Sequence, residues 1–164
     1  MQIEIRPAVE HDACAASQVL RRSITECCIE DHKCDPEIIA GWIRNKTPET
    51  VRGWILSEQL FSVVAIIGGK AVGFAAASTS GEILLCYVIP EVRFTGTGRA
   101  MLLLIENMAR DAGVLSLHLN STLTAHSFYT RNGFETNGPT VLAFGMKSVP
   151  MKKPLVATVV HHAI

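Results

Sequence analysis

Apolar and polar residues alternate along this chain in two rhythms, one of period two and one of period three to four. Residues 3–6, Ile-Glu-Ile-Arg, alternate strictly and predict a first strand. From His11 or Asp12 onward, Ala13, Ala16, Leu20, Ile24 and Cys27 recur every three or four positions, which places them on one face of a helix. Asp35-Pro36 opens a second, short helix: Pro suits a first turn, Asp can cap it, and Ile38, Ile39 and Trp42 form its apolar side. A third helical segment covers residues 48–56. At Phe61 the rhythm changes. Residues 61–67 and 70–77 are two apolar runs around Gly68-Gly69, a hairpin signal. Residues 82–89 follow a turn at 78–81 and are almost continuously apolar, which predicts a central strand buried on both faces. After Pro90 a loop over 91–96 leads into a helix near Gly98, with Met101, Ile105, Met108 and Ala112 along one face and Gly113 at its end. Residues 115–120 predict a strand, 124–132 a short helix closed by Gly133, and 141–146 a late strand. The pattern describes one α/β domain with a mixed sheet over residues 1–149. The tail at 150–164 reads as an extra edge strand or a mobile end.

Composition narrows the function classes. The 164 residues carry 15 Lys and Arg against 15 Asp and Glu, so no basic face is available to release counterions from a nucleic acid, and no nucleic-acid partner is expected. The longest apolar runs, at 60–67 and 83–90, fall far short of the ~20 residues that span a bilayer, so no membrane segment is expected. The first seven residues, Met-Gln-Ile-Glu-Ile-Arg-Pro, lack the basic start and long apolar run of a secretion signal, which places the protein in the cytoplasm. Five cysteines are an odd number and read as reduced thiols. Cys27, Cys28, His32 and Cys34 crowd together, yet they have no second ligand pair at a matching spacing, and Cys27 continues the helical stripe. They read as buried or half-buried thiols, and no metal is expected.

The chemistry is most legible at Arg93-Phe94-Thr95-Gly96-Thr97-Gly98-Arg99. Gly96 and Gly98 let the backbone turn inward and approach a ligand, and the helix that begins there presents unpaired N–H groups and its positive dipole end, a cradle for a diphosphate. Two rival phosphate motifs fail. The P-loop string Gly-x-x-x-x-Gly-Lys-Ser/Thr is absent, and the dinucleotide fingerprint needs Gly or Ala where this chain has Met101, and an acid where it has His118 and Asn120.

Val88-Ile89-Pro90 followed by Arg93 to Gly98 in the pattern Arg/Gln-x-x-Gly-x-Gly/Ala resembles the GNAT superfamily of acyl-CoA-dependent N-acyltransferases. Ala125-x-x-Phe128-Tyr129-x-x-x-Gly133-Phe134 is similar to the family's later motif, and the element order matches from Ile3 to Met146. The resemblance implies a mostly antiparallel central sheet in which strands 82–89 and 115–120 splay apart around acetyl-CoA. It assigns cofactor contacts to Cys86, Tyr87 and Val88, to Arg93, Phe94, Thr95, Gly96, Thr97, Gly98, Arg99 and Ala100, and to Asn120 and Phe128. Backbone N–H groups near 86–88 would face the thioester carbonyl and stabilise the oxyanion of a tetrahedral intermediate. Gly98→Val is expected to block the diphosphate while leaving the fold largely intact.

Two side chains are expected to move protons. Tyr129 is the candidate acid for the departing thiolate, against a simple packing role for the Phe128-Tyr129 pair. Glu82 is the candidate base, about 13 Å along the strand from Cys86 and therefore acting through water. His118 and water alone are the alternatives. Many relatives carry Asn where this chain has Thr124, and Asn120 is the candidate to replace that contact. The expected reaction is N-acetylation of a primary amine, on a small molecule or a protein. The alternatives are a non-catalytic acyl-CoA sensor or scaffold of the same fold and, more remotely, a nicotinamide-dinucleotide enzyme. The acceptor site is expected at about 24–54, where the three acids and the His within 26–32 either receive a cationic amine or form a solvated loop. The apolar tail 155–160 raises a homodimer.

Overall fold

A computed structural model describes residues 2–156. Four antiparallel strands open the sheet in the order β1 (Ile3–Pro7), β2 (Leu60–Ile67), β3 (Lys70–Ser78), β4 (Ile83–Val88). The β2–β3 hairpin turns on Gly68 and Gly69, both at positive φ (57° and 77°), the two-residue geometry that suits the twist of flanking strands. Because β2 and β3 lie in mid-sheet, they are covered on both faces. Val63, Ala65, Ala75 and Ala77 pack toward α5 (Thr97–Asp111), while Val64, Phe74 and Ala76 pack with α1 (Ala13–Cys27) and α4 (Pro48–Leu56). This is why their sequences are apolar without alternation.

Local chemistry sets the helix starts. Asp12, in a 3₁₀ turn at Glu10–Asp12, accepts from the Val9 N–H (2.8 Å) and from both terminal nitrogens of Arg6 (2.7 and 2.9 Å), and so ties β1 to the start of α1. A one-turn helix, α2 (Ile29–His32), follows α1. The Asp35 carboxylate caps α3 (Pro36–Ile43) through the Glu37 N–H (2.9 Å), and the Thr47 hydroxyl caps α4 through the Thr50 N–H (3.2 Å).

The second half of the sheet is β5 (Ser116–Ser121), β8 (Met146–Pro154) and β6 (Glu135–Thr136) in that order, with β7 (Val141–Ala143) also paired to β8 and α6 (His126–Arg131) between β5 and β6. The late strand expected at 141–146 is a hairpin, since Phe144 and Gly145 take positive φ (53° and 77°) and reverse the chain. The expected boundary at 149/150 falls inside β8, whose Pro150 pairs with Asn120 and whose Pro154 pairs with Ser116. Residues 150–154 are thus neither an edge strand nor an end: β8 has partners on both sides. Of the apolar stretch 155–160, Leu155 is buried and its N–H donates to the Leu115 carbonyl at 2.9 Å, while Val156 is exposed; the tail from 157 onward lies outside the described residues.

Three other expectations change. Ala112 is exposed because it is the C-cap, past the end of α5; the buried face is Met101, Leu102, Ile105, Glu106 and Ala109, with Met108 half-buried beside it. Glu106, 2% exposed, receives Lys153 of β8 at 2.7 Å, and the same ammonium donates to the Asn132 carbonyl at 2.8 Å. β4 is not buried throughout, as Leu84 is exposed and Cys86 to Val88 are half-buried. His118, on a strand expected to be buried, alternates outward on β5 with Asn120 while Leu117 and Leu119 face the core.

Candidate active site

β4 and β5 run parallel and touch at one place. The His118 N–H donates to the Gly81 carbonyl at 2.9 Å beside a single Glu82–His118 bridge, and beyond it the strands separate. Gly81 makes this joint possible: its φ is +105°, and an added Cβ would lie 2.6 Å from the Ser116 carbonyl oxygen. The separation leaves one edge of β4 without a ladder partner among the described residues, so its N–H and C=O groups are free for a ligand.

The split opens into a cavity of about 770 Å³. Cys86, Tyr87 and Val88 of β4 form one wall, Ser23, Cys27 and Cys28 at the end of α1 another, and Thr124, Ala125, Phe128 and Arg131 of the α6 segment the third. The floor is the loop into α5, where Phe94 (φ 63°) and Gly96 (φ 88°) both take left-handed conformations. The Thr95 hydroxyl donates to the Val92 carbonyl (2.5 Å) and lies 2.9 Å from that of buried Thr97, fixing the loop from within. Since the Ala100 N–H is the first to bond back to Gly96, the N–H groups of Thr97, Gly98 and Arg99 have no partner within the helix. A Cβ on Gly96 would meet nothing, whereas one on Gly98 would press on the Phe128 ring at 3.2 Å. Gly98 therefore also sets the contact between α5 and α6, and a larger residue there presses on that packing as well as on the cavity.

The roof is held by a residue that no motif marked. Asp31 is buried, and its carboxylate accepts from the Leu123 N–H (2.7 Å), the Thr124 N–H (3.3 Å) and the Thr124 hydroxyl (2.5 Å). Thr124 lines the cavity with its hydroxyl engaged by Asp31. Neighbouring His32 is also buried: Nε2 donates to the Ile24 carbonyl (2.9 Å) and Nδ1 accepts from the Cys34 N–H (3.0 Å), so both ring nitrogens serve the backbone. Only the order in which an acid and a histidine follow the helical stripe was visible beforehand.

Of the residues singled out from sequence, Cys86, Tyr87, Val88, Arg93, Phe94, Gly96, Gly98, Arg99 and Phe128 line the cavity. Thr95, Thr97 and Ala100 belong to the loop and first turn beneath it. Asn120 points away on β5, and Glu82 sits at the closed end of the split. Tyr129 lies behind Phe128, outside the residues that line the cavity, its ring edge-on to Phe128 and Phe134 (centroids 5.1 and 5.5 Å) and near Cys86 and Tyr87. Burial pushes the Tyr129 phenol well above its usual range, does the same to Tyr87, and raises the Cys28 and Cys86 thiols to about 12. These groups stay protonated at neutral pH.

A family model for the acetyltransferase (GNAT) domain matches residues 30–155. The chain belongs to the GNAT acetyltransferase family. Among solved structures, the GCN5-related N-acetyltransferase of Rhodopseudomonas palustris superposes with a TM-score of 0.82 at 21% identity, covering 94% of this chain and 97% of that one. The PaiA N-acetyltransferase of Thermoplasma acidophilum, crystallised with coenzyme A, gives 0.79 at 24% identity over 94% and 99%. In sequence, the amino-acid acetyltransferase of Pseudomonas syringae pv. syringae is 44% identical over 79 residues, 46% of this chain but only 18% of that longer protein. The GNAT fold thus accounts for the split sheet. Among the described residues no helix is long and apolar enough to cross a membrane.

The residues present fit coenzyme A. The open face at Gly96 and the free N–H groups of the α5 N-terminus suit a diphosphate, Arg99 and Arg131 add positive charge at the rim, and the free edge of β4 matches an amide-bearing arm. One expectation for the acceptor fails on geometry. Within 26–32 only Cys27 and Cys28 reach the cavity: Glu26 pairs with Arg22 at 3.1 Å, Asp31 holds the roof and His32 is enclosed.

Proposed function

We propose that the protein transfers the acetyl group of acetyl-CoA to a primary amine. The observation that carries this reading is the single joint at Gly81, which leaves the unpaired edge of β4 leading straight to the N-terminus of α5. Bound in the split, acetyl-CoA would supply an acetyl group activated as a thioester. The chain's residues then have separable tasks. The N–H groups of residues 97–99 hold the diphosphate, and Phe128 closes the α6 side. Backbone N–H groups at 86–88 face the carbonyl, where they stabilise negative charge as it develops.

Tyr129 supplies the proton for the departing thiol. Its burial keeps the phenol protonated, and among the described residues no internal hydrogen bond holds that proton back. Glu82 draws the proton from the incoming ammonium through water, from the end of the split where β4 begins. The Pseudomonas syringae relative is named for amino-acid acceptors, which puts amino acids first in the panel to be tried.

Calorimetric titration with acetyl-CoA, and with NAD in parallel, tests the reading directly. One-site binding of acetyl-CoA alone, followed by thiol release when amines are added, is the expected result. Binding without thiol release for any amine favours a sensor of the same fold, and absence of acetyl-CoA binding ends the proposal.

A further inference from the structure

α6 does not hold itself in place. It spans six residues, and its N-cap, Ala125, makes no side-chain hydrogen bond to the first turn. A helix of so few residues is unstable alone, so its position is set from outside. At its start those outside contacts converge on Asp31 of α2, 5% exposed, whose carboxylate takes the Leu123 N–H, the Thr124 N–H and the Thr124 hydroxyl. The Tyr129 N–H then bonds to the Ala125 carbonyl at 3.1 Å, so the first turn hangs from the loop that Asp31 holds. α2 is itself fixed to α1. The Asp31 and His32 N–H groups bond to the Cys28 carbonyl (3.0 and 3.1 Å), and His32 Nε2 donates to that of Ile24. Residues 29–33 nevertheless do not line the cavity, whereas Thr124, Ala125 and Phe128 do.

Phe128 is where α6 meets the α5 N-terminus, since a Cβ on Gly98 would stand 3.2 Å from its ring. The place of α6 therefore sets the width of the cavity where the diphosphate binds. Resting on the acetyltransferase reading above, we infer that Asp31 is a positioning residue for the reaction: it holds α6 against the α5 N-terminus and transmits cofactor binding to α2. Acetyl-CoA seated against α6 orders the loop 122–125, and the ordered loop keeps its three bonds to the carboxylate and hence to α2. A residue that only stabilised the fold would hold α2 equally with the cavity empty or full.

Amide hydrogen exchange of the full chain, with and without acetyl-CoA, tests this alongside calorimetry on the same preparations. In the wild-type protein acetyl-CoA should slow exchange about 10-fold at residues 97–99, which meet the cofactor, and also at Asp31, His32 and Lys33, whose N–H groups bond to the Cys28 and Ile29 carbonyls. Asp31→Ala should lose the effect at 31–33 and raise the acetyl-CoA Kd about 10-fold, while the effect at 97–99, measured at saturation, remains. Asp31→Asn, which keeps an acceptor for the Leu123 N–H, should restore most of the effect and of the affinity. If Asp31→Ala does not fold, Thr124→Val removes the hydroxyl bond alone and should reduce the effect at 31–33 several-fold. No slowing at 31–33 in the wild-type protein overturns the inference and leaves the acetyltransferase reading intact. So does slowing there that Asp31→Ala or, in its place, Thr124→Val leaves unchanged. No binding of acetyl-CoA, and so no slowing at 97–99, overturns both.

Discussion

Tyr129 and Gly98 each combine a packing role with a chemical one, and each can be tested for the separation of the two. Tyr129 makes edge-on contacts with Phe128 and Phe134 that a phenylalanine would keep. Tyr129→Phe should therefore leave the thermal midpoint and acetyl-CoA affinity nearly unchanged while kcat falls about 100-fold or more, the range of a lost general acid. Equal turnover would make the residue part of the core alone. Gly98→Ala places a methyl group 3.2 Å from the Phe128 ring, tighter than ordinary contact, so the ring must shift. Acetyl-CoA affinity should drop together with a modest loss of stability of about 1 kcal/mol, read by calorimetry and urea denaturation. Gly96→Ala meets no atom, and its cost comes from a φ of +88° alone.

Among the elements, β4 and β5 depend on their single joint. Gly81→Ala would set a methyl group 2.6 Å from the Ser116 carbonyl at a backbone φ of +105°. Neither strain can relax without moving β5, so a loss of about 2–4 kcal/mol is expected in urea denaturation. Gly53→Ala in α4, where the added group meets nothing, serves as the control and should be neutral or stabilising by up to about 1 kcal/mol. Sequence made the elements on either side of this joint legible. The glycine pair of the hairpin, the Asp35 cap and the Gly-x-Gly before α5 are local signals, read from a few neighbouring residues. What stayed hidden is non-local. The strand at 115–120 carries no local mark of how far it is covered: Leu117 and Leu119 of β5 face the core, and the alternate His118 and Asn120 are exposed. The roles of Asp31 with Thr124 and of Glu106 with Lys153 rest on pairs far apart in the chain, and no periodicity marks such partners.

For the molecule as a whole, acid stability turns on the bond between the first strand and the first helix. Arg6 and the Val9 N–H hold the Asp12 carboxyl below its usual range. A folded pKa below the unfolded value near 3.9 means that the stabilisation is fully present above about pH 4 and is lost as pH falls through the folded value. The urea midpoint should therefore fall below pH ~4, and Asp12→Asn should flatten that limb while lowering stability at neutral pH by about 1–3 kcal/mol. An unchanged acid limb in the variant would assign the pH dependence to other carboxylates.

The Asp31 roof bonds also bear on how the chain reaches its native state. They join residues 92 and 93 positions apart in sequence, whereas the hairpin and the helices close over short loops. Contacts of such high separation carry a large closure entropy and form late, so the cavity is the last region to be completed during folding and the first to open on unfolding. A ligand that needs the finished roof binds only the fully folded chain, and its concentration in the cell then sets how long the roof stays closed.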